Sequence, residues 1–387
     1  MFLDITLRRN RKLVETAFEL HQNGSIEPDT YILDVDSILY NAGCIKKEAD
    51  KYGIKLYFMT KQFGRNPYIA SEIMKLGYEG AVAVDWREAK TLAENGIKLG
   101  HVGHLVQIPN NDIENILLQK PDVITVYSIE KAKKISEVAK GLNITQNVML
   151  RVIDKDDILY PAQYGGFYLN ELIEKAMEIA AMTNIRIYGI TSFPCFLYNA
   201  DSKNIEKTKN MDTLCAAKAA LEKELHLKLE EINTPSATCT STIEKIYNSG
   251  GTHGEPGHGL TGTTPLHALR DEVELPSIVY VSEISHNLDE SCYCYGGGYY
   301  RRSNTKNALV GRNISVAKKL EFETPSLESI DYYLGLKGNA KVSDTAVFAS
   351  RSQVFVTRSH VAVVKGIQKG NSEIVGIYDS LGRQIGR

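Results

Sequence analysis

The chain lacks an excess of charge of either sign: 45 Lys and Arg stand against 47 Asp and Glu, a formal net charge of −2 over 387 residues. Basic residues are scattered and no basic run is interleaved with aromatics, so nucleic acid and acidic membrane surfaces are poor partners. No apolar stretch is long enough to span a bilayer. The N-terminus lacks the uninterrupted apolar core of a secretory signal. A soluble, cytoplasmic protein is expected. Cysteine is sparse: of the six (Cys44, Cys195, Cys215, Cys239, Cys292, Cys294) only the last two are close. A Cys-x-Cys on a strand is poor disulfide geometry and lacks the second pair that a zinc site needs. Reduced thiols and no metal site are therefore expected.

What is present is ordinary globular composition, 43% hydrophobic and 24% charged, enough for one large domain and a smaller one. Met1 to Leu20 reads as an amphipathic helix, and Tyr31 to Val35 as an apolar strand. A rhythm of strand, loop and helix then begins. Candidate strands end near Lys61, Val84, Val102, Val126, Val152, Thr191, Asn233 and Glu255, with helical stretches such as Trp86 to Glu94, Ile129 to Lys140 and Met211 to His226 between them. Such alternation predicts an α/β fold, an eight-stranded parallel (β/α)8 TIM-type barrel. An open doubly wound sheet is the rival, but no Gly-rich dinucleotide turn follows an early strand. Near Leu275 the helical pattern gives way to short alternating segments, among them Ser277 to Glu283, Ser291 to Arg301 and Gln353 to Arg358. These predict a C-terminal antiparallel β domain. The expected domains are residues 1–272, barrel with N-terminal helix, and 273–387.

Several segments carry chemistry. Lys61 closes the apolar run Leu56 to Thr60 and precedes the turn-prone Gln62 to Pro67. An amine at a barrel strand end, held among apolar and aromatic neighbours, can lose its proton and form a Schiff base with a carbonyl. The run Gly250 to Gly259 places Glu255 beside Pro256 and two glycines, Gly257 and Gly259, whose backbone can approach an oxyanion closely. One strand earlier, Thr234, Ser236 and Thr238 sit where a strand gives way to a helix. Both N-capping and phosphate binding fit them. In the β domain, Cys292 to Arg302 sets tyrosines against a triple glycine. A phenol near a cationic amine can exchange protons. Arg151 ends the strand Val148 to Leu150 and points at the barrel top, within reach of a cofactor or a substrate carboxylate.

Together these segments resemble the fold-type III pyridoxal-phosphate enzymes, the alanine racemases, basic amino acid decarboxylases and relatives, and in particular the YhfX-like branch. By this resemblance Lys61 is the lysine that holds pyridoxal 5′-phosphate, and Arg65 takes the place of a tyrosine that touches the phosphate. Cys294 to Arg301 is similar to the racemases' Gly-Tyr-Ala-Asp-Gly-Tyr-Pro-Arg, which puts Tyr295 on their second base and Gly297 on the motif's aspartate. That base serves the partner subunit, so a homodimer is implied. Racemases carry an arginine before the Pro-Gly, whereas decarboxylases carry a glutamate, as here at Glu255. A carboxylate beside the pyridine nitrogen keeps it protonated and makes the ring a stronger electron sink. His258 stands where the decarboxylases have a phosphate-binding arginine. The resemblance thus implies a small-molecule amino acid substrate and a racemase. Alternatives are a decarboxylase or aldolase-type lyase, with Cys292 or Cys294 as possible proton donors, or a cofactor-binding protein without turnover.

Overall fold

Short runs of small and β-branched residues, such as Gly80–Ala83 and Val123–Val126, are buried along their whole length in the computed structural model, which describes residues 1–386. Full burial is what strands covered on both faces require. Eight strands, fully or mostly buried, are Lys55–Met59, Gly80–Ala83, Leu99–Val102, Val123–Val126, Gln146–Ile153, Ile185–Thr191, Glu231–Asn233 and His253–Gly254. Each pairs in parallel with the next in sequence, and the last pairs with the first, closing the expected barrel. Two of the intervening helices start on side-chain caps. Asp85 accepts from the Glu88 N–H, and Ser128 from the Lys131 N–H.

The second sheet has ten strands. Six of them close a small antiparallel barrel: Ile278–Leu288, Ser291–Tyr295, Tyr333–Lys337, Lys318–Glu323, Asn307–Gly311 and Thr345–Phe348. The expected antiparallel β domain is present. Its sheet also recruits the N-terminal strand Thr30–Asp34, antiparallel to Ile278–Leu288 and parallel to His360–Lys365. By contacts, the chain forms one compact unit from residues 45–60 and 70–257 and another from residues 1–44, 61–69 and 258 onward. The N-terminal segment thus belongs with the β sheet, where the sequence division at 272/273 had put it with the barrel.

Three local expectations are corrected. The single N-terminal helix is two, Phe2–Arg9 and Arg11–Gln22. The chain breaks at Asn10, whose side chain caps the second helix at Leu13 and donates to the Asp34 carboxylate. Apolar faces of both helices, including Leu3, Leu13, Val14 and Phe18, pack on Ile32, Val279, Val347 and Ala362. Burying each such side chain stabilises by about 1.5–3 kcal/mol, enough to hold the segment on the sheet. The segment Gln353 to Arg358 is a turn of 3-10 helix, Val354–Val356, rather than a strand. The strand Ser291–Tyr295 stops before the triple glycine. Among the described residues no helix is long and apolar enough to cross a membrane.

Candidate active site

The barrel interior is polar at its centre, and two glycines make the room. A Cβ at Gly100 would lie 2.2 Å from the Tyr57 ring, and one at Gly189 would lie 2.2 Å from the Glu231 carbonyl oxygen. Tyr57 stacks on His253, ring centroids 5.4 Å apart, and its hydroxyl donates to Glu231 at 3.3 Å. Above this layer stands Glu255, fully buried. Its Oε1 accepts from His101 Nδ1 at 2.6 Å and from Asn233 Nδ2 at 2.7 Å. Its Oε2 accepts no hydrogen bond, and His104 Nε2 lies 3.8 Å away. The Thr125 hydroxyl sits 2.5 Å from the other ring nitrogen of His101.

Charge in this layer is divided unequally. Burial pushes the Glu255 carboxyl up, but the charges of His104 and His101 and the hydrogen bonds from His101 and Asn233 outweigh it and hold the group at about 2. Burial, and then the charge of Glu255, raise Glu231 well above the usual carboxylate range. Burial, and then the charge of Lys55, press His253 down to about 3. One ionised and one neutral carboxyl side by side is the arrangement that separates acid and base roles.

Other residues singled out in the sequence also lie in the barrel unit. Arg151 does not end its strand, which runs to Ile153, and it is not at the surface. Its guanidinium donates to the Tyr127 hydroxyl and to the Gln163 carbonyl, each at 2.8 Å. Thr234 spends its hydroxyl proton on the His253 carbonyl, whereas Thr238 accepts the Glu255 N–H and keeps its own proton to donate. Ser236 and Ala237 both have positive φ, 99° and 54°, in a tight loop that ends this strand. Capping falls to Thr242, which accepts from the Cys239 N–H. Gly257 is the last residue of this unit.

In the β unit, Lys61 opens the 3-10 turn Lys61–Phe63, immediately after the segment that carries the first barrel strand. Arg65 is left-handed at φ 53° and buried, its guanidinium 5.3 Å from the Phe355 ring centroid. His258 meets the Thr263 hydroxyl at 3.0 Å. Burial, then the positive charges of Arg351 and Lys61, hold its imidazole well below the ordinary histidine range. Lys61 and Arg351 thus lie close enough to His258 to place it in their positive field, which favours an anion.

Tyr295 ends its strand opposite Tyr333, 39% exposed. Its carbonyl accepts from Ser282 at 2.7 Å and Tyr280 at 3.3 Å. Cys292 and Cys294 are buried in the sheet, and burial pushes the Cys294 thiol up to about 12, so neither is a ready proton donor. Gly297 sits at φ 131°, and a Cβ there would lie 1.8 Å from Asp29 Oδ2. A carboxylate from the N-terminal segment therefore occupies the space in which a side chain at 297 would begin. This accounts for the missing aspartate.

His101, His104, Asn233 and Glu231 were not singled out as site residues in the sequence. A signal existed: a histidine in the otherwise apolar Leu99–Val102, and two polar residues at alternate positions of Glu231–Asn233, mark inward-facing polar groups in buried strands.

Comparison with known proteins fits this geometry. Residues 33–265 match the family model "Alanine racemase, N-terminal domain", and residues 279–374 match "YhfX-like, C-terminal domain". The chain is 43% identical to the uncharacterized protein YhfX of Escherichia coli (strain K12), with both chains covered in full. Among solved structures, D-threonine aldolase from Filomicrobium marinum matches with a TM-score of 0.66 at 14% identity, covering 92% of this chain and 95% of its own. Alanine racemase of Clostridium difficile 630 in complex with cycloserine matches with 0.64 at 17%, covering 91% and 98%. One architecture thus serves a racemase and an aldolase. The chain belongs to the alanine racemase-like, fold-type III family of pyridoxal-phosphate enzymes, with a YhfX-like C-terminal domain.

Proposed function

We propose that the protein binds pyridoxal 5′-phosphate and acts at the α-carbon of an amino acid as a racemase. The observation that carries the cofactor is the divided carboxylate of Glu255. One oxygen is saturated by two donors, while the other is buried, ionised and without a hydrogen bond. A cationic ring N–H is the kind of group that such an oxygen accepts. The residues present therefore fit the cofactor. When bound, pyridoxal phosphate supplies an electron sink for the pair released at the α-carbon.

The chain's own residues have distinct tasks. Lys61 would hold the cofactor's aldehyde through its amine and would move a proton at the substrate α-carbon on one face. Tyr295 of the partner subunit serves the opposite face in a homodimer, and its exposure in the single chain leaves the phenol available for that role. Glu255 would hold the ring nitrogen. Arg65, Ser236, Thr238, Gly257 and His258 would bind phosphate, and Thr234 shapes the Ser236–Thr238 loop by its bond to the His253 carbonyl. Arg151, fixed by Tyr127 and Gln163, would present positive charge to the cofactor's phenolic oxygen or to a substrate carboxylate.

A second reading, a decarboxylase or aldolase-type lyase, is favoured by the ionised Glu255, because a protonated ring nitrogen accepts a full carbanion pair. Incubation of the reconstituted protein with amino acids in D2O separates the two. A racemase returns substrate of unchanged skeleton, inverted, with deuterium at the α-carbon. A lyase releases carbon dioxide or an aldehyde. Tyr295→Phe should slow exchange on one face by roughly 10²–10⁴-fold, and full activity would remove Tyr295 from the mechanism. A bound cofactor whose spectrum no amino acid alters would leave only a carrier role.

A further inference from the structure

Two buried polar side chains inside the barrel, which the proposed mechanism does not use, converge on one atom, Oε1 of Glu255, and a third supports them. His101 comes from Leu99–Val102, Thr125 from Val123–Val126 and Asn233 from Glu231–Asn233, and each is buried. With the Thr125 hydroxyl at Nε2, the Nδ1 of His101 faces an ionised carboxylate and donates to it. Asn233 brings a second donor to the same oxygen. We propose that His101 is a positioning residue: with Asn233 it saturates Oε1 of Glu255, so that Oε2 alone meets the ring nitrogen and the shared proton stays on that nitrogen.

The inference rests on the cofactor reading above and deepens it. The physical reason is relative proton affinity. In a site closed to water, a carboxylate and a pyridine nitrogen hold one proton between them, and the weaker base loses it. Two donors on Oε1 make Glu255 the weaker base. Without His101, burial is opposed only by His104 and Asn233, and the proton shifts toward the carboxylate. The other titratable groups facing this layer are His104, Glu231, Tyr57 and His253. They remain in every variant below, so a change belongs to His101.

Two measurements test this. The first uses the reconstituted protein with pyridoxal phosphate labelled with ¹⁵N in the ring. The wild type should give a pyridinium resonance at neutral pH. His101→Ala should move toward free pyridine, and His101→Asn, which keeps an N–H near the same place, should recover most of the shift. Thr125→Val should fall between. A pyridinium resonance unchanged in His101→Ala would overturn the proposal, since mere loss of packing would not discriminate alanine from asparagine. The second needs no cofactor. Infrared difference spectra against Glu255→Gln read the protonation of that one carboxyl, which should be ionised at neutral pH in the wild type and take up a proton at about one to three pH units higher in His101→Ala. The same titration in both proteins would overturn the role of His101. A free-pyridine signal in the wild type would instead sink the assignment of Glu255 to the ring nitrogen. A divalent metal copurifying in one equivalent and lost in His101→Ala would also overturn the proposal.

Discussion

Asp29 is held in a way that its sequence neighbours do not suggest. Tyr280 and Ser359 donate to its Oδ1, and the Asp331 carboxylate, which accepts from the Gly297 N–H, is near enough to repel it. Burial, against those donors, raises its carboxyl from 3.8 to about 6. A raised folded value means that the native state binds the proton more tightly than the unfolded chain. The resulting stability is complete below about 4 and is lost as pH rises through about 6. Denaturant titrations at several pH values should therefore show the wild type losing stability relative to Asp29→Asn across that window. Parallel curves would contradict it. At this scale the sequence drew attention to residues at a break in pattern: Lys61 closing an apolar run, Glu255 between glycines and a proline. It was not legible where meaning comes from a distant partner. Asp29 lies far along the chain from Gly297, and nothing local announces that one excludes a side chain at the other.

Among elements, the barrel strands were readable because full burial on two faces forces continuous apolar runs. The helices between them were readable in the alternating rhythm, without the caps Asp85 and Ser128 that start two of them. The glycines inside strands had a less visible purpose. Gly100→Ala would drive a methyl to 2.2 Å from the Tyr57 ring, in a closed interior that cannot yield easily. Such overpacking typically costs about 1–3 kcal/mol. Gly141→Ala, at the end of the helix Ile129–Gly141 with nothing within 4 Å, is the matched control and should be neutral or mildly stabilising. Equal midpoints for the two variants in thermal denaturation would contradict the packing account. Pairing of Thr30–Asp34 with strands beyond residue 278 was illegible for the same long-range reason. The 3-10 turn Val354–Val356 was misread because a short apolar alternation fits a strand equally well.

For the whole molecule, order along the chain and architecture agree with the family, while the chemistry depends on few atoms. The strand-end lysine, the Glu-Pro-Gly loop and the tyrosine-glycine turn were each visible in the sequence, so the family followed from them. The interior support of Glu255 was not visible, because closing eight strands into a ring brings residues 101, 125, 233 and 255 together from four separate elements. The account stands or falls on Lys61 as the cofactor's anchor. Reconstitution with pyridoxal phosphate, reduction with borohydride and peptide mass spectrometry test it directly. One phosphopyridoxyl group per chain, on Lys61, is the predicted result; a label spread over surface lysines, or none at Lys61, would contradict it.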